Sequence, residues 1–97
     1  MNGTGIKQSV IKEIIDLAKK HGINRIILFG SRARGDYHRT SDIDLAVYGG
    51  DVAMFSLDVE ERTSTLLTYD VIDMNKTHQE EFIKSIEKEG RLLYEKI

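Results

Sequence analysis

The sequence predicts an α/β fold in which about four strands alternate with helices. Three of its features predict this. Short, largely apolar runs recur at Arg25–Phe29, 42–48, 68–74 and Arg91–Glu95, the first of them rich in β-branched residues. Segments with apolar residues at helical spacing separate them. Turn residues stand at the junctions, among them Gly22, Gly30, Gly49-Gly50 and Gly90. Such alternation describes helices packed on a sheet. At 97 residues the chain reads as one domain over 1–97, with little surface to spare for a second, substrate-binding unit.

Residues 1–5 are polar and contain glycine, and they read as a loose end. From Ile6, the positions Ile6, Val10, Ile11, Ile14, Ile15 and Ala18 make one helical face, with lysines and Glu13 opposite. Gly22 stands where a left-handed C-cap would end this helix, and His21 reads as a capping or surface residue. Arg25–Phe29 is nearly continuous in apolar residues, as in a buried strand. Ser31 to Arg34 begins a short helix, and residues 35–41 form a loop. Residues 42–48 make the second strand, with Ile43, Leu45 and Val47 on one face and Asp42, Asp44 and Ala46 on the other.

Residues 52–67 fit an amphipathic helix through Phe55, Val59 and Leu66, weakened by Thr63, Ser64 and Thr65. A third strand over 68–74 follows. Thr77 to Glu80 reads as a capping box for a last helix with Phe82, Ile83 and Ile86 on its buried face. His78 falls in its first turn and is expected to be exposed. Gly90 ends that helix, and Arg91–Glu95 closes the sheet as an edge strand. Phe55, Tyr69 and Tyr94 read as core or interface residues.

Composition excludes several classes of function. Fourteen basic against sixteen acidic residues give a net charge of -2, which offers nucleic acid no bulk attraction. The absence of cysteine removes disulfides and thiolate metal sites. No apolar run suits a membrane span or a signal peptide, so a cytoplasmic protein is expected.

Chemistry concentrates between Gly30 and Leu45. Gly30-Ser31 is a small-residue turn into a helix, suited to a polyphosphate: backbone amides converge there, Gly30 permits close approach and Ser31 adds a hydroxyl. Arg32 and Arg34 can add charge from the rim. The Gly30–Gly35 spacing mimics half of a P-loop, but Asp36-Tyr37 stands where that motif demands Lys followed by Ser or Thr. Asp42 and Asp44 share one strand face, and like charges that close repel unless a cation or proton separates them. Mg2+ carrying a polyphosphate is the matching ligand. Two such carboxylates can bridge two ions about 3.5–4 Å apart, usually with help from a third.

Asp70 and Asp73 are the candidates for that third carboxylate. Asp70 is preferred because Val71 would then face the core. It would also serve as acceptor of a hydroxyl proton. Each piece alone has a bland explanation: a Gly-Ser turn is often only a turn, and Asp-x-Asp is often a solvated strand start. Packing accounts for the apolar alternation; it does not account for an acidic pair beside a glycine turn. Tyr37, His38 and Arg39 flank the site and read chiefly as a solvated loop.

Gly30-Ser31-Arg32-Ala33-Arg34-Gly35 followed by Ser41-Asp42-Ile43-Asp44-Leu45 closely resembles the minimal nucleotidyltransferases of the DNA polymerase β superfamily. The resemblance covers essentially the whole chain. It implies a small nucleotidyltransferase fold, a mixed sheet of about four strands with helices packed mainly on one face. It also implies triphosphate binding at Gly30 and Ser31, two Mg2+ ions on Asp42 and Asp44, and a third aspartate, Asp70. Arg32 and Arg34 match the family pattern without fixed roles. ATP is the donor it implies. The partner it implies is a small helical HEPN protein, a toxin whose tyrosine receives AMP from this antitoxin. Transfer to a small-molecule hydroxyl and a non-catalytic scaffold are the alternatives. A homo- or hetero-oligomer is compatible with the chain, which itself writes nothing about the acceptor.

Overall fold

A computed structural model describes residues 1–97, in the order α1 (Gln8–Lys20), β1 (Arg25–Phe29), α2 (Gly30–Arg34), β2 (Ile43–Tyr48), α3 (Val52–Arg62), β3 (Tyr69–Asp73), α4 (Glu80–Glu89) and β4 (Arg91–Glu95). The four strands form one mixed sheet in the order β3-β2-β1-β4. β1 runs antiparallel to β2 and β4, while β2 and β3 are parallel. β4 lies at an edge, as expected, and a bulge at Ile26/Ile27 adjusts its register.

Strand alternation divides the core. Ile26, Leu28, Ile43, Leu45, Val47 and Tyr69 point to the face covered by α1 and α3, where they meet Val10, Ile14, Phe55 and Val59. The opposite face is covered only in part. There Ile27 and Ala46 pack against Ile86 of α4, and Phe29 meets Phe82 edge to face at 6.0 Å between centroids. Helices α1 and α3 thus cover one face, while α4 lies on the other, where α2 touches it. No helix is long and apolar enough to cross a membrane.

The arrangement departs from expectation at several points. α3 stops at Arg62, because Glu13 of α1 accepts hydrogen bonds from the Ser64 amide and hydroxyl at 2.9 and 2.8 Å and pulls the chain out of the helix. Leu66, expected on the apolar face of α3, is consequently fully exposed. The capping box at Thr77 does not form. A turn closed on Asp73, by the Asn75 amide at 2.9 Å and the His78 ring at 2.8 Å, holds the chain away from the helix until Glu80. His78 is thus half-buried, with its ring 5.5 Å from Phe82, rather than exposed on α4.

Residues 1–5 are not a loose end. Thr4 is fully buried, and the carbonyls of Asn2 and Thr4 accept hydrogen bonds from Arg91 and Arg32 at 2.7 and 2.9 Å. His21 supplies the backbone of the α1 C-cap, but its ring is largely covered rather than on the surface, with Nε2 2.6 Å from the Asp58 carboxylate. Lys20 and Arg62 donate to the same carboxylate at 3.3 and 3.2 Å, which ties the end of α1 to α3. The hydrogen bond with His21 first, and then the hydrogen bond and charge of Lys20, hold Asp58 below the ordinary carboxylate range.

Candidate active site

The antiparallel pairing of β1 with β2 and the parallel pairing of β2 with β3 bring three chain segments to one end of the sheet. The end of β1 and the starts of β2 and β3 meet there: Phe29 pairs with Asp44, and Asp44 pairs with Asp70. Because Asp44 and Asp70 are register partners on neighbouring strands, their side chains share a face. It is the face opposite Leu45 and Val71, whose side chains turn to the core. Asp42 sits just before β2, and its carboxylate accepts a hydrogen bond from the Thr68 hydroxyl.

Asp73 does not join this group. It lies at the far end of β3, opposite Val47, and its carboxylate caps the turn at Asn75.

The β1–α2 turn is built against the same carboxylates. Gly30 has φ +73°, and a Cβ there would overlap the Asp44 carboxylate oxygen. A side chain at this position is excluded twice, by backbone conformation and by space. Ser31 follows on the first turn of α2, where amides lack intrahelical partners. Gly35, in the left-handed region at φ +94°, ends this single turn of helix.

The two arginines of α2 go different ways. Arg32 was expected on the rim, yet it is only 1 % exposed and spends its guanidinium on backbone carbonyls. Nε donates to Ser41 at 3.0 Å, and the two terminal nitrogens donate to Thr4 at 2.9 Å and Arg39 at 3.2 Å. Its plane also lies over the Tyr37 ring, 4.9 Å from the centroid. Desolvation of an arginine is tolerable only with its donors satisfied, and these carbonyls satisfy them. Arg32 therefore clamps the N-terminal segment to the loop that delivers Asp42. Arg34 does stay on the surface, where it pairs with Asp36 and Glu89 at 3.3 Å each.

Electrostatics single out Asp44. Partial burial, then the charges of Asp70 and Asp42, push its carboxyl up to about 6, while Arg34 and Arg32 pull it down. A carboxylate cluster that raises its own proton affinity also attracts a divalent cation. No three acidic or histidine side chains already converge into a closed cage. An all-oxygen, partly open donor set fits Mg2+, which takes one or two carboxylates and completes its shell with phosphate and water. Among the residues expected at the site, Gly30, Ser31, Asp42, Asp44 and Asp70 gather at this end of the sheet. Thr68 and the clamp role of Arg32 were not foreseen; neither leaves a signal in local spacing.

Comparison with known proteins agrees with this arrangement. The family model described as "Polymerase beta, Nucleotidyltransferase" matches residues 12–97. A relative from Methanocaldococcus jannaschii, named as a candidate protein adenylyltransferase, is 37 % identical over 100 residues, covering 91 % of this chain and 98 % of its own. A second of the same name and organism is 36 % identical over 90 residues, covering 84 % and 92 %. A crystal structure of a toxin–antitoxin with AMP-PNP superposes with a TM-score of 0.70 at 26 % identity, over 89 % of this chain and 73 % of that one. An MntA-HpeT toxin–antitoxin structure gives 0.69 at 24 % identity over the same shares, a likeness of fold. With its glycine turn and aspartates gathered at one end of a mixed sheet, the chain belongs to the polymerase β-type nucleotidyltransferase family.

Proposed function

We propose that this nucleotidyltransferase moves AMP from ATP onto the tyrosine hydroxyl of a helical, HEPN-type toxin partner in the cytoplasm, and so acts as an antitoxin. The observation that carries the reading is the meeting of Asp42, Asp44 and Asp70 beside the Gly30–Ser31 turn. Likeness to proteins named as adenylyltransferases and to a toxin–antitoxin structure with AMP-PNP supports the choice of nucleotide and partner.

In this reading the α2 turn receives the β- and γ-phosphates through its free amides and the Ser31 hydroxyl. Gly30 keeps the turn close enough to Asp44 for one polyphosphate to touch both. Asp42, Asp44 and Asp70 would hold Mg2+, which supplies charge neutralisation at the phosphates and a lowered pKa at the attacking hydroxyl. Thr68 fixes the rotamer of Asp42 by donating to it. The acceptor oxygen attacks the α-phosphorus and forms a P–O bond. The bond from that phosphorus to the β-phosphate oxygen breaks, and pyrophosphate leaves with the electron pair. Asp70 takes the hydroxyl proton.

The test is incubation with Mg2+, each α-labelled nucleoside triphosphate in turn, and the helical protein encoded beside this one. Label from ATP on a tyrosine of that protein is the expected result. If no nucleotide binds or is transferred, the enzymatic reading fails. If Asp42→Asn and Asp44→Asn proteins still protect the partner as wild type does, neutralisation is by binding alone.

A further inference from the structure

On the carboxylate face of the sheet, α4 packs against β1 and α2 and leaves the β3 side open. A cleft of about 370 Å³ lies there, lined by Ile72, His78, Gln79 and Phe82. We infer that this cleft reads the base of the donor nucleotide. It selects a base that presents an amino group beside a ring-nitrogen acceptor, adenine above all. The inference rests on the transferase reading above and names the residues that choose its nucleotide.

Position argues for the base. Asp44 pairs with Asp70, and two residues further along Ala46 pairs with Ile72. Strand alternation puts Ile72 on the face of Asp70, about 7 Å along the strand, a gap that a ribose spans. Phe82 reaches the same row, since its ring meets that of Phe29, the register partner of Asp44. With the β- and γ-phosphates at the Gly30 turn and the α-phosphorus at the carboxylates, the nucleoside runs along this face toward Ile72 and Phe82. Those side chains give a base an apolar seat and an aromatic ring to stack on.

Hydrogen bonding argues for the class of base. His78 Nε2 lies 2.8 Å from the Asp73 carbonyl, an oxygen that can only accept, so Nε2 carries the proton. In the neutral ring this leaves Nδ1 as an acceptor, with no donor from the chain. Gln79 is exposed and caps nothing with its side chain, so its amide N–H groups are free to donate. The turn on Asp73 sets both residues here, because it delays α4 to Glu80 and keeps them out of the helix. An acceptor beside a donor complements the amino group and adjacent ring nitrogen of adenine or cytosine. Guanine and uracil present the reverse, an oxygen beside an N–H, which sets acceptor against acceptor and donor against donor. A purine stacks on Phe82 over more area than a pyrimidine, which ranks adenine first.

The experiment titrates the full chain, with Mg2+, against the α,β-methylene analogues of ATP, CTP, GTP and UTP by calorimetry. Wild type is compared with Gln79→Glu, His78→Ala and Phe82→Leu, and transfer from α-labelled triphosphates is measured separately. Wild type should bind the ATP analogue at least about tenfold more tightly than those of GTP and UTP, with CTP between. Gln79→Glu replaces a donor by an acceptor and should erase the preference for adenine over guanine. The ratio is read rather than the affinity, because the added charge weakens all four triphosphates alike. His78→Ala should erase the same preference, and Phe82→Leu should weaken the purines most. Gln79 is exposed and without a partner, so its variant keeps the test decisive if His78→Ala fails to fold.

Equal binding of all four analogues by wild type overturns the proposal, as does a preference that survives in either folded polar variant. Unchanged nucleotide ratios with a raised KM for the acceptor protein would place the acceptor in the cleft and overturn it too. Base-selective binding without transfer of label upholds the cleft while the transferase reading fails. Transfer without preference among bases leaves that reading standing and overturns the cleft. Failure to bind any analogue overturns both.

Discussion

Gly30 and Asp44 are a matched pair, and each constrains what the other can be. A Gly30→Ala side chain meets the Asp44 carboxylate and forces a left-handed backbone on alanine. The expected cost is about 1–3 kcal/mol of stability, with loss of nucleotide binding, readable by urea denaturation and ATP titration. Asp44 itself works against the fold while it is ionised. Its native value, about 6, lies above its ordinary 3.8. A raised carboxyl contributes stability that is complete below the unfolded value and lost as pH rises through the native one. Asp44→Asn should therefore stabilise the metal-free protein by about 1 kcal/mol at pH 7, a figure reduced for partial solvent screening. The gain should disappear by about pH 4 in melts across that range, and a gain independent of pH would contradict the assignment.

At the scale of elements, two polar clusters tie together segments that are distant in the chain. Arg32 joins residues 1–5 to the loop before β2. Arg32→Ala leaves three buried or half-buried carbonyls without their donor, so a loss of about 3 kcal/mol is expected by denaturation. Limited proteolysis should then cut first within residues 36–41. The Asp58 cluster joins α1 to α3 in the same way. Its native carboxyl lies below the ordinary 3.8, so its stabilisation is present above that value and lost as pH falls through the native one. Asp58→Asn should lower Tm at pH 7 and approach wild type in stronger acid. Element existence was legible in the sequence wherever apolar periodicity was strong, as in α1, β1, β2 and β4. Helix ends were less legible: Glu13 decides where α3 stops and Asp73 delays α4, both by contacts across the fold or around a turn.

For the whole molecule, the sheet is a device for moving distant residues to one edge. Asp44 and Asp70 are twenty-six positions apart, and parallel pairing makes them neighbours. Ligand should therefore bind the folded chain and not its separated segments. Mg2+ with a non-hydrolysable ATP analogue at a hundredfold its Kd should add about 2.7 kcal/mol of stability. Chelation of the metal, or Asp44→Asn, should abolish the shift. Below about pH 6 the proton competes for Asp44, and the Mg2+-dependent part of the shift should decline in calorimetric scans.

The sequence by itself determined the alternation of elements, the faces of the strands and the core of the candidate site. Gly30, Ser31, Asp42 and Asp44 lie within one stretch whose spacing points to the proposed phosphate and metal chemistry. Only the tertiary structure decided between Asp70 and Asp73 as the neighbour of Asp44, because strand register depends on pairing over long separations. It also decided the place of Arg32. Read locally, an arginine after a phosphate-type turn belongs on the rim; in the fold, carbonyls from Thr4, Arg39 and Ser41 converge on it and make burial favourable. Periodicity is a local property and survives in the sequence, whereas satisfaction of a buried charge depends on groups that only the folded chain brings together.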